Sequence, residues 1–136
     1  MNACIGIDIG GTNIRGALFD GQGSIIDRFK QPCGISGGKE LFLSQLMRET
    51  GSLHKTAEQS GFRVDSVGVG VPGLISRDGV VVSSVNLQAI EGVNLASVLS
   101  AGLGLPVVCE NDANLIAVGE HSYGAGKGFA SWWCLR

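Results

Sequence analysis

The chain has 136 residues, 44% hydrophobic and 16% charged, with 10 Lys and Arg against 12 Asp and Glu for a net charge of −2. That balance excludes a disordered segment, which would be poor in apolar residues, and it offers no basic footprint for nucleic acid or an anionic membrane surface. Its 22 glycines exceed the roughly ten expected of average usage, but with 3 prolines and no three-residue period they exclude collagen.

Met1 leads straight into Ala3-Cys4-Ile5-Gly6-Ile7-Asp8 with no basic segment and apolar stretch before it, so no signal peptide is expected. No apolar run approaches the ~18 residues of a membrane span. Cys4, Cys33, Cys109 and Cys134 are scattered, so reduced thiols in a cytoplasmic protein are expected, and no zinc site in this chain.

Residues 3–9 read as a short buried strand, Gly10-Gly11-Thr12-Asn13 as a tight turn, and Ile14 to Phe19 as a second strand. Asp20-Gly21-Gln22-Gly23 closes that strand and Ser24 to Lys30 makes a third. Such short links require antiparallel pairing. After Gly37-Gly38, Leu43, Leu46, Met47, Thr50, Leu53 and Ala57 recur at helical spacing up to about Ser60, with Gly61 as the stop. Val64 to Val71 reads as a strand ending at Pro72-Gly73. Ser76-Arg77-Asp78-Gly79 reads as a turn between Leu74-Ile75 and Val80-Val81-Val82. An irregular stretch from Asn86 to Gly92 precedes a short helix capped by Asn94 and running to about Ala101. Leu105 to Cys109 is a further strand, and a helix is expected from Asp112 to about Tyr123. The order β-β-β-α-β-α-β-α predicts an α/β fold. Its mixed sheet would have about five main strands, the first three antiparallel and the later ones parallel, with flanking helices.

Two constellations invite chemistry. In Asp8-Ile9-Gly10-Gly11-Thr12-Asn13 the glycines let backbone N–H groups approach a phosphate without Cβ interference, and Thr12 adds a hydroxyl. Asp8 beside that loop can hold Mg²⁺, directly or through water. The same string also suits an ordinary hairpin turn. In Glu110-Asn111-Asp112-Ala113-Asn114 a strand passes into a helix, where the dipole keeps a carboxylate ionised and suits Asp112 to accept a proton from a substrate hydroxyl. Asn111 or Asp112 would equally serve as a plain helix cap. Gly70-Val71-Pro72-Gly73 is either a close approach to a ligand or a turn. Asn86 is a loop amide, and His54 and His121 receive no role.

Gly6-Ile7-Asp8-Ile9-Gly10-Gly11-Thr12-Asn13 resembles the first phosphate loop of sugar kinases in the actin, hexokinase and heat-shock chaperone superfamily. With Gly70-Val71-Pro72-Gly73-Leu74-Ile75, Asn86-Leu87, Glu110-Asn111-Asp112-Ala113-Asn114 and Gly124-Ala125-Gly126-Lys127-Gly128, the resemblance narrows to the ROK family of glucokinase-like and amino-sugar kinases and sugar-responsive repressors. It implies a ribonuclease H-like, actin-like ATPase domain over residues 1–123, with residues 124–136 beginning a truncated second domain. It implies ATP and Mg²⁺ as cofactors, Asp8 as the metal-positioning carboxylate, and Gly10, Gly11, Thr12 and Asn13 along the ATP phosphates. Asp112 is implied as catalytic base, and Gly73, Asn86, Asn111 and Asp112 as sugar contacts. The family's zinc site would lie only in the missing half.

From this follow a sugar and ATP as partners, with no nucleic acid or membrane. Homo-oligomers could form through Trp132-Trp133 at the domain boundary. The isolated chain is expected to be inactive. The first strand begins within a few residues of Met1, so no preceding DNA-binding segment is expected, which favours the kinase branch; the alternative is a non-catalytic sugar-sensing module or a transcriptional regulator.

Overall fold

The computed structural model describes residues 1–84 and 87–111. Strands β1 (Asn2–Ile9), β2 (Asn13–Asp20) and β3 (Ile25–Pro32) form an antiparallel meander. Helix α1 (Lys39–Gln59) then crosses to β4 (Arg63–Val71), which pairs parallel to β1. Two short strands, β5 (Leu74–Ile75) and β6 (Val81–Ser83), make an antiparallel ribbon. Helix α2 (Leu95–Leu103) leads to β7 (Val107–Asn111), parallel to β4, and completes a five-stranded sheet in the order β3-β2-β1-β4-β7. The mixed sheet expected from the sequence is therefore present, and the long crossovers are where parallel pairing requires them.

Local chemistry sets the boundaries. Asp20 closes the β2–β3 turn by accepting the backbone N–H groups of Gln22 and Ser24 at 2.9 Å each. The Asn94 side chain accepts from the Ser97 N–H at 2.9 Å and caps α2 as its sequence predicts. β7 starts at Val107, two residues later than expected from the apolar run. Pro106 has no N–H to donate to a ladder, although its carbonyl still accepts from Val67 N at 2.9 Å.

Alternation along β1 sends Ala3, Ile5, Ile7 and Ile9 to one face. There they join Ile14 and Leu18 of β2, Val67, Val69 and Val71 of β4, and the buried sides of both helices in one core. The face of α1 differs slightly from the sequence reading: Phe42, Leu46, Thr50, Leu53 and Ala57 are buried, whereas Leu43 and Met47 only border the core. Among the described residues no helix is long and apolar enough to cross a membrane. Asp112, Asn86, the expected helix at 112–123 and the expected boundary at 123/124 lie outside the described residues.

Two predictions come from buried groups. The Thr50 hydroxyl is fully enclosed and finds no hydrogen-bond partner among the described residues. An unmet buried hydroxyl costs on the order of 1–3 kcal/mol, so Thr50→Val, equal in shape, is expected to raise the urea unfolding midpoint; a lowered midpoint would show the hydroxyl to be bonded in solution. Burial, helped by the neighbouring Glu110 charge, pushes the Cys109 thiol from 9.0 up to about 12. Between those values the unfolded chain releases a proton that the folded chain keeps. Stability therefore falls as pH rises above 9, by up to about 1.4 kcal/mol per pH unit from this group. Unfolding curves at pH 8 and pH 10 should show wild type losing more stability than Cys109→Ala, and equal losses would refute the assignment.

Candidate phosphate and sugar site

The parallel strands β1, β4 and β7 end at the same edge of the sheet, and the described residues of the expected site gather there. Asp8, one residue from the end of β1, stands opposite Gly70 of β4, which in turn stands opposite Glu110 of β7. Residues paired across a sheet share a face, so Asp8 and Glu110 flank a position with no side chain, about 10 Å apart at two strand spacings. On the other side Asp8 faces Arg15 of β2, and Arg15 faces Lys30 of β3. Asp8 is only 4% exposed. In the next row Asn111 stands opposite Val71, at the point where the chain continues to Asp112.

The turn between β1 and β2 is closed by Gly10 N–H donating to the Asn13 carbonyl at 2.8 Å. It is braced from outside by Cys33 N–H donating to the Thr12 carbonyl at 2.8 Å, which ties the loop to the end of β3. A Cβ on residue 10 would lie 3.2 Å from the Asn13 carbonyl oxygen, so the tight turn favours glycine there. Gly11 and Thr12 are exposed, and their backbone N–H groups meet no acceptor among the described residues. The loop is thus held by its carbonyls while these two donors remain available, as an anion-binding backbone concavity requires.

At Gly73 the chain makes a close approach of its own: a Cβ at 73 would lie 2.3 Å from the Ser83 carbonyl oxygen and 3.0 Å from the Ser84 Cβ. The Ser84 hydroxyl donates to the Pro72 carbonyl at 2.6 Å, and Ser84 N–H reaches the Glu91 carboxylate at 3.4 Å. Sequence reasoning missed Ser84; its only signal was a pair of serines between an apolar run and Asn86. His54, in α1, lies 3.6 Å from the Glu58 carboxylate one helical turn away. Among the described residues no three His, Cys, Asp or Glu side chains come together as a metal cluster.

The structure thus brings Asp8, Gly10, Gly11, Thr12, Asn13, Gly73 and Asn111 to one end of the sheet. Because residue 73 packs against main chain, which cannot swing aside as a side chain would, Gly73→Ala is expected to lower stability by about 1–3 kcal/mol. Chemical denaturation measures this, and an unchanged midpoint would show that the turn relaxes freely.

Comparison with known proteins adds to this geometry. The chain is 31% identical over 135 residues to a glucokinase of Streptomyces coelicolor, covering 99% of this chain and 40% of that protein. It is 32% identical over 124 residues to the xylose repressor of Bacillus subtilis, covering 90% of this chain and 32% of the repressor. Its fold superposes on a ROK family glucokinase from Streptomyces griseus, solved with glucose and AMPPNP, with a TM-score of 0.73 and 31% identity, over 91% of this chain and 38% of the other. The chain therefore spans about 40% of the length of the glucokinase relatives it matches. The ROK family profile matches residues 4–136, and with the actin-like sheet described above this chain belongs to the ROK family.

Proposed function

We propose that the protein of which this chain forms the N-terminal part transfers the γ-phosphoryl group of ATP to a hydroxyl of a hexose or amino sugar. The observation that carries this reading is the braced Gly10–Asn13 loop, with exposed donors at Gly11 and Thr12, beside the buried carboxylate of Asp8. The donor set suits the ATP phosphates: a glycine turn, a threonine hydroxyl and backbone N–H groups not used by the protein. It also suits Mg²⁺, which uses one or two carboxylates, keeps most of its waters and shares phosphate oxygens with its ligand. When bound, the metal would neutralise charge on the phosphates.

In this reading Asp8 positions the metal, and Gly10, Gly11, Thr12 and Asn13 hold the phosphate chain. Asp112, next in the chain after the strand-end Asn111, accepts the proton of the attacking sugar hydroxyl. Asn111, Asn86 and Gly73 contact neighbouring hydroxyls and fix which oxygen meets the phosphorus. Positioning and electrostatic stabilisation are what phosphoryl transfer chiefly demands of a protein. Residues 1–123 would form one wall of the cleft and the chain from 124 onward would begin the second, with cytoplasmic localisation and homo-oligomers as further expectations. Any family zinc site would lie beyond this chain.

Similarity to a xylose repressor supports a second reading, a sugar-responsive module without turnover. The two differ at Asp112. In the naturally produced full-length protein, Asp112→Asn is expected to lower kcat at least about 100-fold, the contribution typical of a general base, with sugar binding by calorimetry retained. Sugar binding with no phosphorylation by wild type would favour the sensor. Full activity in Asp112→Asn would remove the base from the mechanism.

A further inference from the structure

We propose that Ser84 is a positioning residue that orients the Pro72–Gly73 peptide so that the Gly73 N–H is presented to a hydroxyl of the sugar. The inference rests on the sugar-kinase reading above and adds to it a residue with no role there.

A peptide unit is planar, and in the trans form its carbonyl and the following N–H point in opposite directions. Among the described residues no peptide bond is cis. The Ser84 hydroxyl takes the Pro72 carbonyl at 2.6 Å, so the N–H of the same peptide, that of Gly73, points away from Ser84. That N–H has no acceptor among the described residues. It is a donor of fixed direction at the C-terminal end of β4, the edge where Asp8 and Asn111 also stand.

Ser84 can impose this orientation because it is itself held firmly. It is 4% exposed and directly follows β6, which pairs with β5 on one side. On the other side Val81 N–H donates to the Val93 carbonyl at 3.0 Å and Gly92 N–H to the Val81 carbonyl at 2.7 Å. The Val80–Asn94 bridge and the bond from Leu95 N–H to the Gly79 carbonyl at 3.0 Å tie the ribbon to the start of α2. Packing alone already brings residue 73 against Ser83. The hydroxyl therefore contributes direction rather than proximity, and direction is what discriminates one sugar hydroxyl from another.

The test is Ser84→Ala in the full-length protein, assayed against a parent hexose and its set of monodeoxy analogues. The loss of one orienting hydrogen bond predicts a rise of about five- to tenfold in KM for the parent sugar, with KM for ATP within about twofold. For the one analogue lacking the hydroxyl that Gly73 N–H contacts, wild type and variant should be nearly equal. If Ser84→Ala does not fold, Ser84→Cys, close in size and a weak donor, should show the same selective pattern. Equal shifts for sugar and ATP, or the same factor for every analogue, would overturn the role of Ser84 while leaving the kinase reading intact. A wild-type protein that neither binds nor phosphorylates any sugar would overturn both.

Discussion

The site depends on the register of β1. This strand is buried from Ala3 to Ile9 and is gripped from both sides, by β2 antiparallel and by β4 parallel. Ile5, Ile7 and Ile9 are fully enclosed on the helix-covered face, each contributing about 1.5–3 kcal/mol relative to exposure. Because side chains alternate, those three isoleucines determine that Cys4, Gly6 and Asp8 occupy the other face. A slip of one residue would drive the Asp8 carboxylate into the apolar core and expel the isoleucines. The position of the Asp8 carboxylate is thus set by hydrophobic burial elsewhere in the same strand.

From that register the other parts follow. Pairing with β4 sets Asp8 beside Gly70, and pairing of β4 with β7 brings Glu110 and Asn111 into adjacent rows. The three parallel strands then end at one edge, the place where open α/β sheets bind ligands. The β5–β6 ribbon serves a different purpose. It emerges from β4 at Pro72–Gly73, returns through Ser84, and is stitched to the start of α2. The Gly10–Asn13 loop and the Pro72–Gly73 turn are thereby built on separate supports that share one sheet.

Much of this was legible in the sequence where the signal is local. The meander could be read because its links are too short for a crossover, and Asn94 could be read as a cap because it needs only the next turn of helix. The orientation of α1 was less accessible. Phe42, Leu43, Leu46 and Met47 make a broad apolar stripe, and only contact with the sheet decides that Phe42 enters the core while Leu43 and Met47 stay at its margin. Gly73 and Ser84 illustrate the larger limit. The atoms that require a glycine at 73 belong to residues ten and eleven positions away, so no local pattern shows why glycine is needed there. The Gly10–Asn13 turn was legible as a string, but not its brace, because Cys33 reaches Thr12 from the far end of β3.

Membership of the ROK family and the geometry of the sheet edge support the proposed transfer of a phosphoryl group from ATP to a sugar. Phosphorus-31 NMR of the full-length protein incubated with ATP, Mg²⁺ and a panel of hexoses and amino sugars tests it most directly. The account predicts a sugar-phosphate ester resonance growing in step with ADP for at least one sugar. ATP that stays intact with every sugar, or that yields only inorganic phosphate, would contradict it.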